Sequence, residues 1–424
     1  AGSRAVSVTN VAPSIALIGD ASVAEGSTYT LTLGAISDPG DDTVTEWIVD
    51  WGDGTIESFL AAGEVTHVYA DGPNSYTITV NLVDEDGTHT DAGSRAVSVT
   101  NVVPTATLSG AAAVAEGSVF TLSIDGLPDP GDDTVTQIVI DWGDGSPATT
   151  VPGTSTSVGH TYADGPNAHT ITVDLVDEDG THVDAGSHNV TVDDVDPTIV
   201  LIGDPNVDEG ATYTLTLGGI SDPGDDVVTE WIVDWGDGTI DSYLAAGDVT
   251  HIYADGPNGY TIIVDLVDED GTHLDAGSHN VTVDDVDPTI ALAGDANVNE
   301  GATYTLTLGA ITDPGDDVVT EWIVDWGDGT IDTYLAAGDV THVYADGPNS
   351  YTIIVDLVDE DGTHANAESH AVTVDDVDPT IALAGAPNVD EGAPFTLTLG
   401  AITDPGEDTV TEWIVEWGDG TIDT

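Results

Sequence analysis

The tetrapeptide Trp-Gly-Asp-Gly occurs five times, starting at Trp51, Trp142, Trp235, Trp326 and Trp417, at spacings of 91, 93, 91 and 91 residues. A period this long exceeds a solenoid unit and suits one self-sufficient β domain. The two extra residues fall between Trp142 and Tyr162, where an insertion predicts an exposed loop. The periodicity divides the chain into residues 1–11, the last strand of a preceding repeat, then 12–102, 103–194, 195–285 and 286–376. Residues 377–424 read as the first half of a fifth repeat. Ala1–Val11 is identical to Ala92–Val102, which predicts a window of a longer array.

Within a repeat the apolar period is two. Tyr29, Leu31 and Leu33 alternate with Thr28, Thr30 and Thr32, and Trp47, Val49 and Trp51 alternate with Glu46, Ile48 and Asp50. Tyr76, Ile78, Val80 and Leu82 repeat the pattern, and Val97 and Val99 close the repeat. Such segments, separated by Gly, Pro, Asp and Asn, are strands with one buried face. No segment of useful length has a 3.6-residue period free of Gly or Pro. About seven strands per repeat predict an all-β chain of immunoglobulin-like antiparallel β-sandwiches in a linear array.

The chain carries 79 acidic side chains against two basic ones, Arg4 and Arg95, for a net charge of −77. That balance argues against nucleic acid and anionic membranes as partners, because both select Lys/Arg patches. Apolar residues make up 40% of the chain and are evenly spread, so it is no disordered acidic tail. Cysteine is absent, which excludes disulfides and thiolate metal sites. No apolar run reaches the length of a membrane span.

The WGDGT turn, the His67-x-Tyr69 pair and GPNSYTITVNLVDEDG together resemble the polycystic-kidney-disease (PKD) domain. The resemblance covers four complete repeats and the half beginning at Val377. It implies a seven-stranded sandwich found in extracellular proteins as a spacer, adhesive or accessory module, without catalytic activity. Two features depart from the family pattern: Ile138 replaces the first strand tryptophan in the second repeat, and the acids outnumber what the fold requires.

Sandwich connectivity predicts where those acids gather. The DPGDD loops lie between the second and third strands: Asp38, Asp41 and Asp42; Asp129, Asp132 and Asp133; Asp222, Asp225 and Asp226; Asp313, Asp316 and Asp317. The DEDG loops lie between the last two strands and contribute Asp84 and Asp86, Asp177 and Asp179, Asp268 and Asp270, Asp359 and Asp361. Both open at the end where the chain enters from the preceding repeat. Linkers bring Asp193, Asp194 and Asp196, then Asp284, Asp285 and Asp287, then Asp375, Asp376 and Asp378 to the same junctions.

Carboxylates so concentrated need a strong counterion. Calcium is the expected cofactor, since it takes six to eight oxygens in flexible geometry where magnesium demands a strict octahedron. The first two linkers offer Asn10 and Asn101 in place of carboxylates, which predicts weaker calcium binding there. Set against this, Asp-Pro-Gly and Asp-Gly are ordinary turn chemistry, and an acidic surface also keeps proteins soluble in brine.

Other chemistry is thin. Asp53-Gly54 sits at the opposite end of the repeat with few carboxylates nearby. The histidines recur as His67, His89 and His182 with His188, which raises zinc; His67 shares a face with Tyr69 and reads as a packed or backbone-bonded core-edge residue, and His182 with His188 lacks a third ligand. Adjacent acids such as Asp132 and Asp133 in an open loop make no catalytic pair, and no nucleophile-elbow, P-loop or zincin motif is present. The expectation is therefore a non-enzymatic structural segment of an extracellular or cell-surface protein, an adhesin stalk or filament body stiffened by calcium. Its partners are neighbouring repeats, other copies in a filament, or surface glycans. The competing reading is an accessory carbohydrate- or protein-binding array of a secreted hydrolase, which requires a row of exposed aromatics.

Overall fold

The computed structural model describes residues 2–424, and among them there is no helix. In the first repeat eight strands form: β1 (Ser14–Gly19), β2 (Ser22–Ala24), β3 (Thr28–Ser37), β4 (Glu46–Asp50), β5 (Ile56–Phe59), β6 (Gly63–Val68), β7 (Asn74–Asp84) and β8 (Gly87–Thr100). They make a three-stranded sheet, β1-β3-β6, and a five-stranded sheet, β2-β8-β7-β4-β5. Only β2 and β8 pair in parallel. The eighth strand arises because the chain breaks after Gly19 and changes sheets. The Tyr29 hydroxyl donates to the Asp20 carbonyl at 3.0 Å and leaves no room for a Cβ at Gly19. The same eight-strand order recurs in the next three repeats.

Period-two burial follows the sequence. Tyr29, Leu31, Leu33, Trp47, Val49, Trp51, Ile78, Val80, Leu82, Val97 and Val99 face inward between the sheets. Ile138 fills the place of the first tryptophan in the second core. The WGDG turn is locked from within: the Tyr69 hydroxyl donates to the Trp51 carbonyl at 3.0 Å, and His67 stacks on the Trp51 ring at 4.7 Å. His67 also meets the Asp53 carboxylate at 2.6 Å, and Asp53 accepts from the Thr55 amide at 2.9 Å. Gly52 has a φ of +87° and lies against the Thr77 backbone, so a side chain there would be strained and crowded. His67 and Asp53 are therefore turn architecture.

The chain forms two compact units. One is Ala1–Asp196 with the loop Asp222–Val227, and the other is Pro197–Ser221 with Val228–Thr424. Each unit holds two eight-strand sandwiches, apart from that exchanged loop. The second unit also carries the two-stranded pieces Thr380–Gly385 with Leu397–Thr403 and Val415–Glu416 with Ile422–Asp423.

Candidate metal centres at the joints

At the exit end of the first sandwich, three backbone segments meet around one carboxylate. Glu25 follows β2, is 0% exposed, and accepts hydrogen bonds from the Gly72 amide at 2.7 Å and the Val102 amide at 2.6 Å. It thereby ties the outgoing linker to the loop before β7. Glu116 does the same with Gly165 and Val195, Glu209 with Gly256 and Val286, and Glu300 with Gly347 and Val377. In each case one carboxylate oxygen accepts from one amide and the second oxygen from the other, so both are satisfied by backbone.

The following sandwich docks its DPGDD loop on this corner. The Asp132 amide donates to the Ala70 carbonyl at 2.8 Å, and Gly131 lies so close to Glu25 that a Cβ would stand 2.8 Å from the carboxyl carbon. The bond recurs from Asp225 to Ala163 at 2.8 Å, from Asp316 to Ala254 at 2.8 Å and from Glu407 to Ala345 at 2.9 Å. These joints are built contacts between successive modules.

The loop also delivers carboxylates. Asp129 caps its own turn through Oδ1, which accepts from the Gly131 amide, while its Oδ2 is sealed from solvent with no hydrogen-bond partner. Asp38, Asp222 and Asp313 repeat both features. Both carboxylate oxygens of Asp133 and of Asp317 are likewise sealed and unpartnered. Ligand atoms of Glu25, Asp129 and Asp133 lie within 4.8 Å of one another, as do those of Glu116, Asp194 and Asp226, and of Asp38, Asp42 and Asp84. Burial, followed by the charges of Glu25 and Asp129, pushes the Asp133 carboxyl up to about 6. Burial and then Glu209 and Asp313 push Asp317 up to about 7. Asp408 is raised by burial and by Glu300, Asp376 and Asp404.

The other expected residues divide by place. Asp41, Asp132, Asp225 and Asp316 are exposed, and the last three serve the joint through their amides. Asp84, Asp177, Asp268 and Asp359 are buried, cap the DEDG turn, and face His89, His182, His273 and His364 at 2.7–2.8 Å. Asp86, Asp179, Asp270 and Asp361 are exposed. Burial first, then Asp255 and Asp359, raises Asp361, and Asp179 accepts from the Asn101 amide group at 2.7 Å. Asp193, Asp284 and Asp375 end their strands with exposed side chains, and the last two accept from Asn206 and Asn297. Asp194 and Asp285 are half-buried, whereas Asp196, Asp287, Asp376 and Asp378 are exposed.

Glu25, Glu116, Glu209 and Glu300 also belong to these corners, as do Asp71, Asp255 and Asp346, whose charges reach Asp179, Asp317 and Asp408. The one available signal was a Glu-Gly pair recurring with the module period just before an alternating strand.

No curated protein matches this chain. Among solved structures it is similar to the chicken CNTN1 FN1–FN3 domains, at 10% identity over 64% of this chain and 99% of that one, with a TM-score of 0.21. It is also similar to the Clostridium thermocellum CbhA fibronectin(III)-like modules, at 18% identity over 42% of this chain and 94% of that one, with a TM-score of 0.20. The profile of the PKD domain matches residues 10–99 and 285–374. The sandwiches at residues 10–99 and 285–374 are thus PKD domains, and the two between them repeat the same strand order around their own WGDG turns.

Proposed function

We propose that this array is a structural segment of an extracellular or cell-surface protein, a stalk or filament body, in which calcium holds successive modules together. The observation that carries the reading is the pair of sealed, unpartnered carboxylate oxygens on Asp133, and again on Asp317, packed beside the buried glutamate of the preceding module. Such oxygens need a proton or a cation. Calcium fits a mixed set of carboxylates with room for carbonyl and water ligands at about 2.3–2.6 Å. Glu209, Asp313 and Asp317 would supply the set at one joint, and Glu25, Asp129 and Asp133 at another. At the latter, Asn101 stands where Asp285 stands later, so its affinity is expected to be lower.

Seven of the nine tryptophans belong to the buried cores or their edges, and Trp413 and Trp417 are 45% and 39% exposed. That distribution speaks against the row of aromatics that a glycan-binding array needs. Scanning calorimetry of the whole chain, with calcium and with excess chelator, tests the proposal. Calcium is expected to raise the melting temperature, with Asp317→Asn reducing the gain. A melting curve indifferent to chelation removes calcium and leaves the array.

A further inference from the structure

His364 is the second residue of the strand Thr363–Asp375 and is 7% exposed. Its Nε2 faces the sealed Asp359 carboxylate at 2.8 Å. Its Nδ1 points the other way, 2.8 Å from Asp287 Oδ1 and 4.0 Å from Asp285 Oδ2. The second oxygen of Asp285, Oδ1, is sealed from solvent and has no hydrogen-bond partner. The ligand atoms of the three residues lie within 4.8 Å of one another.

A neutral imidazole carries one ring proton. If Asp359 takes it, the Nδ1 lone pair confronts carboxylate lone pairs, and either a second ring proton or a metal cation must sit between them. A carboxylate gripping the far nitrogen of a histidine whose near nitrogen meets further carboxylates is the outer-shell arrangement of protein metal sites. One imidazole nitrogen with carboxylate oxygens suits borderline transition ions, whereas calcium takes oxygen alone. We propose that the joint between the third and fourth sandwiches carries a nitrogen–oxygen metal site, made by His364 Nδ1, Asp285 and Asp287, for zinc or a similar divalent transition ion. The oxygen-only set of Glu209, Asp313 and Asp317 is a separate site, with Asp285 standing beside both.

The first two repeats keep the histidine and its buried aspartate, as His89 with Asp84 and His182 with Asp177. They have Ala12 and Val103 where Asp287 stands, so they lack the exposed third ligand. Discrimination between joints thus lies in two linker positions, since Asn10 and Asn101 also stand where Asp285 stands.

Cobalt(II), a spectroscopic stand-in for zinc, titrated into the whole chain under saturating calcium tests the site. Visible absorption bands of a low-coordinate cobalt centre are expected, and zinc should abolish them. His364→Gln should remove one equivalent of bound cobalt, while His370→Gln leaves the count unchanged. Because His364 is buried, Asp287→Asn is the second variant. Its side chain is 79% exposed, so folding is unaffected, and at least a tenfold loss of cobalt affinity is expected. Unchanged stoichiometry in His364→Gln with unchanged affinity in Asp287→Asn overturns the proposal, as does the absence of cobalt bands while calcium is bound. Neither outcome alters the melting test for calcium, so the two readings fail separately.

Discussion

Gly131, Gly224, Gly315 and Gly406 each lie against a buried glutamate of the preceding module, with no room for even a methyl group. Gly315→Ala would place its Cβ 2.6 Å from the Glu209 carboxyl carbon, so the loop must lift. Overpacking of this kind costs about 1–3 kcal/mol. The expected result is a lower melting transition for the second unit and a smaller calcium response, read by calorimetry. A separate residue-scale prediction concerns acid. Burial opposes ionisation of Asp144, but hydrogen bonds from Ser146 and His160 prevail and hold its carboxyl at about 2, against an ordinary 3.8. A depressed carboxyl contributes stability above its unfolded value and loses it as pH falls through the folded one. Asp144→Asn should therefore flatten the dependence of stability on pH between about 4 and 2, measured by urea unfolding across that range. The acids of the DPGDD and DEDG loops were legible as candidates because sandwich connectivity fixes which loops share an end. Glu25 was not, because what buries it is a loop of the next module.

At the scale of strands, alternation located the buried face directly: Thr28 to Leu33 and Trp47 to Trp51 read in sequence as they pack. The count of seven fell one short. The break between β1 and β2 depends on Tyr29 reaching the Asp20 carbonyl, a contact without a periodic signature. A second irregularity was equally silent. Each β8-type strand carries a left-handed residue, Asp91, Asp184, Asp275 or Asn366, whose amide bonds to the side chain of Asn81, Asp174, Asp265 or Asp356 on the neighbouring strand. Asn and Asp tolerate that conformation better than other side chains, which accounts for the residue types found there. The cross-link between strand ends can be weighed. Tyr253→Phe deletes the hydroxyl that donates to the Trp235 carbonyl at 3.0 Å and leaves a buried acceptor unsatisfied. A loss of about 1–3 kcal/mol is expected from equilibrium denaturation.

For the whole chain, charge dominates. A net charge of −77 makes the modules repel one another, and salt screens that repulsion over about 10 Å at 0.1 M. Chelated protein should therefore regain part of its stability as sodium chloride rises, whereas calcium-loaded protein should respond much less; melting temperatures across a salt series distinguish the cases. Asp316→Asn combined with Asp317→Asn should weaken the calcium effect without unfolding either sandwich, because the Asp316 amide still reaches Ala254. An unaltered maximum dimension in small-angle scattering, with and without calcium, would count against the joint as a stiffening device.

The glutamate corner also gives the array a direction. Each sandwich leaves the carboxylate at its exit end to be covered by the loop that comes after it, so neighbours cooperate in one sense along the chain. A module severed from its successor opens its buried glutamate and the two amide hydrogen bonds it accepts to competition from water, while the successor loses only a docking surface. Damage at a joint is thus expected to weaken the side nearer the N-terminus more, and emerging polypeptide would seal each corner only when the following unit has folded.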